Sequence, residues 1–510
     1  MPALPQHVAV ATLLDRWLDG VEDRWGVPLL LAIFVVLWTA FLALAYQNAD
    51  LHPDVIEAWA TGRVLDWGGA KHPPLMGWVT HLWTLVFPVR DWSFHLLSMV
   101  NAAAALWIVD LIARRFVRGD KRAIILLLLL LLPVYQFQAQ RFNANSVLFA
   151  VWPLAIYCFL RSFETRHAAW AVAAGLASAL AILGKYYSAF LIAGFVFAAI
   201  CHPARRAYFL SSAPWISALA GLALLAPHVH WMLTSGTSPL GYALAVHGGL
   251  SRGRAIVSSL NFLLGLAATL ALPMTIWAIM IRTRIGAYIR GFRPLDDGLY
   301  LLLLVAIGAI AAPPLVSLVL KSSLTAVWAA PGLFVFVLVA VCAARFSVDR
   351  AETRRLAAGI LALTMIAVLL APVHAWYRNG HPFSEGRNYY SLAAVQVMQR
   401  WRQASHMPLR TVSGDKLTMA LAFYSPDRPE FTVPFGQDYV WQMPSAATLR
   451  EGWASMCLPD EATCLIWLKQ VAAAAPGAAT FDFVVTPRFL GQAGVPARIV
   501  ALVLPPSAAR

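Results

Sequence analysis

Long apolar runs constrain this chain more than any other feature. From Val27 to Gln47 it reads VPLLLAIFVVLWTAFLALAYQ, and comparable runs recur along its 510 residues. A helix needs about 20 apolar residues to cross the hydrocarbon core of a bilayer. With 60% hydrophobic and 13% charged side chains, the chain has too little polar surface to bury all these runs in one soluble core. Candidate spans lie near residues 27–47, 93–113, 123–137, 145–160, 168–183, 187–201, 213–233, 256–281, 298–320, 325–344 and 356–376. They predict a polytopic α-helical membrane protein of about 11 transmembrane helices, of which the third, fourth and sixth are short.

The formal charge of +14 and pI near 9.9 would suit a nucleic-acid binder if the cations formed one module. They are instead spread between the apolar runs, which is a topology signal and excludes nucleic acid as the expected partner. One set of alternate loops is the richer, carrying Arg114, Arg115, Arg118, Lys121 and Arg122, then Arg161 and Arg166, Arg205 and Arg206, Arg282 to Arg293, and Arg345 to Arg355. The other set holds Arg63, Lys71, Arg90, Arg141, Lys185, Arg252, Arg254 and Lys321. The asymmetry predicts a cytoplasmic first set, with the Asp54 loop and the C-terminal part facing outward. The first apolar run follows the charged segment Asp15 to Arg24 and is expected to remain as an anchor rather than act as a cleaved signal.

Composition changes at about Arg378. The stretches 410–415, 429–434, 481–487 and 498–505 read as strands and 385–402 as a helix, so residues 1–377 form the membrane domain and 378–510 a small outward α/β domain. Cys457 and Cys464 lie in that outer part and pair if it meets an oxidising compartment. Cys158, Cys201 and Cys342 fall in apolar runs as small core residues.

The stretch DVIEAWATGRVLDWGGAKHPP, residues 54–74 within the outward loop 47–91, concentrates polar chemistry beside the first span. A helical turn there would put Asp54 and Glu57 on one face, where a partly buried carboxylate can take a proton from a hydroxyl. Pro73 and Pro74 fix an extended backbone that presents Lys71 and His72, a pair suited to a phosphate. Arg141, Asn143 and Asn145 enter the fourth span, and Lys185 and Tyr186 lie between the fifth and sixth, adding cations, amides and a phenol on the same side. Each has a bland alternative: a solvated loop acid for Asp54, a structural turn for the prolines, membrane anchoring for Lys185 and Tyr186.

Taken in order, these motifs resemble the GT-C fold membrane glycosyltransferases, specifically the ArnT-like and protein-mannosyltransferase-like enzymes of glycosyltransferase family 39 and its relatives. Asp54 takes the position of their loop Asp, followed by Asp66-Trp67-Gly68 and by His72-Pro73-Pro74-Leu75. The likeness continues through Asn145 to Trp152, Gly184-Lys185-Tyr186, Val412-Ser413-Gly414 and Tyr424 to Pro429. The resemblance implies an inverting transfer of a sugar from a polyprenyl-phosphate donor to a cell-envelope acceptor (lipid A, another glycolipid, a polysaccharide or a protein) at the outer face of a bacterial inner membrane. Asp54 would be general base, with Lys71, His72, Arg141, Lys185 and Tyr186 gripping the donor phosphate and Glu57, Asn143 and Asn145 contacting substrate.

Two departures from the pattern matter. Val55 stands where the family has Glu beside the loop Asp, and Asn145 where many members have a second Asp. No cofactor and no essential divalent ion are therefore expected. Two other readings remain at this point, a transporter or flippase of a lipid-linked sugar and a catalytically silent scaffold relative. Scarce charge within the spans and the absence of paired broken helices weigh against the transporter.

Overall fold

The computed structural model describes residues 6–69, 71–236, 238–291, 295–382, 387–434 and 440–507. Ala70, Arg293 and the start of the expected 385–402 helix lie outside them. Each predicted span contains helix, and among the described residues six helices have the length and apolarity to cross a membrane: Gly26–Ala45, Asp91–Ala113, Ala213–Thr234, Arg252–Met280, Asp297–Leu320 and Arg350–Gly380. The shorter predicted spans contain shorter or interrupted helices. The third is Asp120–Leu129 followed by a π-helical turn, Val134–Gln138, and the tenth is two 3-10 turns ahead of Phe334–Cys342.

Small residues set the helix spacing. A Cβ on Gly194 would lie 2.6 Å from the Val305 carbonyl, so Ala189–Cys201 packs backbone to backbone against Asp297–Leu320. The stretch after the first span is no open loop. Pro53–Gly62 and Leu75–Thr84 form a helical hairpin in which a Cβ on Gly62 would sit 2.4 Å from the Gly77 carbonyl. Thr80 Oγ1 ties the pair by donating to the Ala58 carbonyl at 2.7 Å.

The arginine-rich loops gather at one end of the bundle. Asp110, fully buried, accepts from Arg122 through both carboxylate oxygens at 3.0 Å and from Arg114 at 2.8 Å. Arg350 and Arg354 hold the N-terminal helix through Asp15, at 3.1 and 2.8 Å. The loops of the second set gather at the other end with the C-terminal part, where Leu51 N–H donates to Tyr424 Oη at 2.7 Å.

Beyond Gly380 the chain builds a five-stranded mixed sheet in the order β2-β1-β3-β7-β4, together with a small β5–β6 hairpin. The strands are β1 (Thr411–Ser413), β2 (Glu430–Thr432), β3 (Trp453–Cys457), β4 (Ala479–Val485), β5 (Arg488–Phe489), β6 (Gln492–Ala493) and β7 (Ala497–Leu504). β1 pairs parallel with β2 and β3, whereas β7 pairs antiparallel with β3 and β4. Helices Tyr390–Ala404 and Lys416–Tyr424 pack together, and the second also meets Pro53–Gly62. The sheet, not the sequence pattern, reveals β3, whose five residues are all buried and show no alternation. Cys457 and Cys464 are joined as a disulfide.

Candidate active site

Pro53 opens its helix at a position where the missing N–H costs nothing, and the His52 ring caps it by accepting from Asp54 N–H at 3.2 Å. Asp54 thus sits in the first turn, where the helix dipole favours a carboxylate. Its side chain remains 41% exposed. The His52 nitrogen that accepts this bond has its lone pair committed, so its 3.6 Å approach to Asp54 Oδ1 is no ion pair.

Asn143 orients the carboxylate by donating Nδ2–H to Asp54 Oδ2 at 2.9 Å. The Asn143 side-chain oxygen accepts from the Asn145 and Ser146 amides at 2.9 and 3.0 Å, while Ser146 Oγ accepts from Asn143 N–H at 2.7 Å. These bonds lock the amide so that its NH2 group faces Asp54. Asn145 Oδ1 accepts from Lys185 Nζ at 2.5 Å, and the same ammonium lies 4.6 Å over the Trp328 ring. Trp152, fully buried, donates to Ser188 Oγ at 2.9 Å and so pins the turn carrying Lys185. Burial pushes Lys185 down to about 7, against the pull of the Asp54 charge. An amide at position 145 holds the lysine without neutralising it, as a carboxylate there would.

Asp54, Glu57, Lys71, His72, Asn143 and Asn145 line one cavity of about 590 Å³. An adjoining cavity of about 960 Å³ shares Glu57, Lys71 and His72 and extends to Thr61, Asp66 and Phe431. Glu57 and Lys71 pair at 3.1 Å, so Lys71 enters the site with its charge partly compensated. Burial pushes His72 down to about 4, with Glu57 opposing. His72 is therefore a neutral hydrogen-bonding group near pH 7 rather than a cation. Lys416, exposed at the start of Lys416–Tyr424, and Met419 also line the smaller cavity. Neither was foreseen, since nothing local in the sequence ties position 416 to position 54. Among the described residues, no three His, Cys, Asp or Glu side chains are gathered as metal ligands.

Two expected members stand elsewhere. Tyr186 hydrogen-bonds His228 Nε2 at 3.1 Å, and His228 Nδ1 meets the Trp67 carbonyl at 2.5 Å. That carbonyl can only accept, so Nδ1 carries the proton and the phenol donates to Nε2. With Trp231 donating to Asp66 Oδ2 at 2.8 Å, this chain anchors the Asp66-Trp67-Gly68 turn. Tyr186 therefore supports the loop and does not reach Asp54. Arg141 points to a different cavity, because Gln140 and Arg141 turn away from the face that Asn143 and Asn145 present. The segment Tyr424 to Pro429 is a docking strip: the Arg428 and Pro429 carbonyls accept from Arg63 at 2.5 and 2.6 Å, and Arg428 donates to the Val89 carbonyl at 3.1 Å.

Residues 71–231 match the family model described as dolichyl-phosphate-mannose-protein mannosyltransferase. The structure superposes on ArnT from Cupriavidus metallidurans bound to undecaprenyl phosphate with a TM-score of 0.61 at 14% identity, covering 93% of this chain and 97% of that one. The apo state of the same protein gives 0.61 and 14%, over 94% and 98%. The chain therefore shares the fold of that ArnT, the GT-C fold. In sequence, the chain is 26% identical to the lipid A galacturonosyltransferase RgtD of Rhizobium johnstonii over 208 residues, which are 40% of this chain. That match spans 43% of the relative, less than half its length.

Proposed function

We propose that the protein is a membrane glycosyltransferase that moves a sugar from a polyprenyl-phosphate donor to a lipid or glycan of the bacterial cell envelope. The supporting observation is the exposed Asp54 carboxylate, oriented by Asn143 in a lysine-bearing chamber of the fold seen in an ArnT bound to undecaprenyl phosphate. The relative that carries a lipid A galacturonosyltransferase name favours lipid A as acceptor.

The acceptor hydroxyl oxygen attacks the anomeric carbon from the face opposite the phosphate, and Asp54 takes the proton. The bond from that carbon to the phosphate oxygen breaks, its electron pair leaves with the polyprenyl phosphate, and the configuration inverts. Charge grows on the departing phosphate, where Lys185, Lys71 and Lys416 supply cations. A cation about 4 Å from such a charge contributes about 4 kcal/mol at an effective dielectric of 20, several times its value in water. On this reading the site faces the periplasm and the C-terminal domain covers it.

The test is transfer by purified protein from a polyprenyl-phosphate sugar to an envelope lipid, with the acceptor class read by mass spectrometry of lipids from a deletion strain. Asp54→Asn should lower kcat at least about 100-fold. Unchanged transfer by Asp54→Asn removes the base from the scheme, and wild-type movement of the donor across vesicles without transfer replaces the scheme by transport.

A further inference from the structure

The segment 140–145 has two faces. Asn143 and Asn145 look into the Asp54 chamber, whereas Gln140 and Arg141 line a separate cavity of about 1010 Å³. Helix ends bound this second space: Leu42 near the end of Gly26–Ala45, and His374 and Arg378 in the last turns of Arg350–Gly380. These are the places where the two spans emerge on the Asp54 side, at the level of lipid headgroups.

Three guanidinium groups line it, those of Arg141, Arg378 and Arg387, and no carboxylate does among the described residues. Arg387 is already engaged, stacked 4.6 Å from the Tyr46 ring and donating to the Asp50 carbonyl at 3.4 Å. Arg141 is exposed and makes no hydrogen bond or ion pair among the described residues. Next to it, the Gln140 side-chain oxygen accepts from Tyr46 Oη at 3.3 Å, while its buried Nε2 has no acceptor among them. A buried donor left unmet is costly unless a ligand supplies the oxygen. Arginines that merely anchor a helix at the interface would reach outward into bulk headgroups. These converge on a walled space together with a buried amide.

One part of the wall is apolar. Phe41, Leu42 and Phe137 form it, beside His95 and Gln138, and Phe137 is more than half exposed beside the spans. A ligand that satisfies both walls carries a phosphate, which guanidinium forks grip in a bidentate manner, and a hydrocarbon part. We propose that this cavity binds the phosphate-bearing headgroup of a membrane lipid, with the Arg141 fork and the Gln140 amide as its polar contacts. On the transferase reading, and resting on it for this role alone, the lipid is the acceptor, held across segment 140–145 from Asp54 while the donor occupies the lysine-bearing side.

Binding tests the site independently of transfer. Full-length protein in an uncharged detergent is titrated with dihexanoyl phosphatidic acid, dihexanoyl phosphatidylcholine and inorganic phosphate, with thermal unfolding as readout. Phosphatidic acid should bind at least about 10-fold more tightly than either of the others. Arg141→Gln should weaken it about 10-fold, Arg141→Lys less because the charge remains, and Asp54→Asn should leave it unchanged. Equal affinity in wild type and Arg141→Gln overturns the proposal, as does inorganic phosphate binding as tightly as the lipid. Should Arg141→Gln fail to fold, Gln140→Leu carries the same comparison. Dihexanoyl phosphatidylglycerol binding as tightly as phosphatidic acid supports the site with bulk phospholipid as its source, and preference for the monoester supports a phosphorylated acceptor. Intact binding without any transfer by the wild type retains the site and refutes only the enzymatic reading.

Discussion

Asn143 reaches across 89 residues of sequence to donate its side-chain N–H to Asp54 at 2.9 Å. A cation in that place would hold the carboxylate ionised but weaken it as a base, and a second acid would share its proton. The amide orients it and adds no charge of its own.

Asn143→Ala should therefore lower kcat about 10- to 100-fold while leaving the donor KM close to wild type. Asn143→Asp places two carboxylates together and should raise the pH at which activity appears, because one of the pair must hold a proton. A pH–rate profile of the two variants checks both statements.

Lys185 titrates within the working range. Held down to about 7 by burial, it loses its proton as pH rises through that value, and its grip on a phosphate goes with it. The donor KM should rise between pH 6 and pH 9 in the wild type. Lys185→Arg keeps its charge throughout and should flatten that dependence. Lys185→Ala should raise the donor KM about 10-fold at pH 6, with the gap to wild type closing towards pH 9.

Asp50 fixes the outer domain by accepting from Tyr390 and Ser391 N–H at 2.7 and 3.2 Å. Burial pushes its carboxyl up to about 6, so the folded protein holds this proton more tightly than the unfolded chain. Its stabilising contribution is complete below the unfolded value of 3.8 and is lost as pH rises through 6. Asp50→Asn, which does not titrate, should gain on the wild type by about 2–3 kcal/mol between pH 4 and pH 7. Paired thermal melts across that range measure the difference.

The Cys457–Cys464 bridge closes a short loop between β3 and the helix Ala462–Ala474. Chain entropy for so short a loop gives about 2–3 kcal/mol. Cys457→Ala with Cys464→Ala should lower the unfolding free energy by that amount in denaturant titrations, and reductant should have the same effect on the wild type only.

The spans were legible because apolar length is written locally: each predicted stretch contains a helix, and the discrepancies are the interruptions at Val134–Gln138 and Ala330–Gly332. Asp54, Glu57, Lys71, His72, Asn143 and Asn145 were legible because polar residues at span ends are rare enough to stand out, and the structure gathers them around one cavity. Arg141 was misplaced by the same reasoning, since sequence shows that a residue lies at the interface but not which face of a turn it takes. Tyr186 went astray because its partner, His228, belongs to a helix read only as a span. Lys416 and Met419 were invisible, as tertiary docking of a distant helix brings them to Asp54.

That docking has a consequence for how the protein matures. Lys416–Tyr424 supplies part of the chamber wall, and Tyr424 ties it to Leu51 and Asp91. The ribosome delivers Asp54 well before Lys416, so a nascent chain whose spans are already made still lacks part of the chamber wall. On the proposed reading, competence arrives only when Lys416–Tyr424 has folded and docked, so copies that lack this helix would not consume donor.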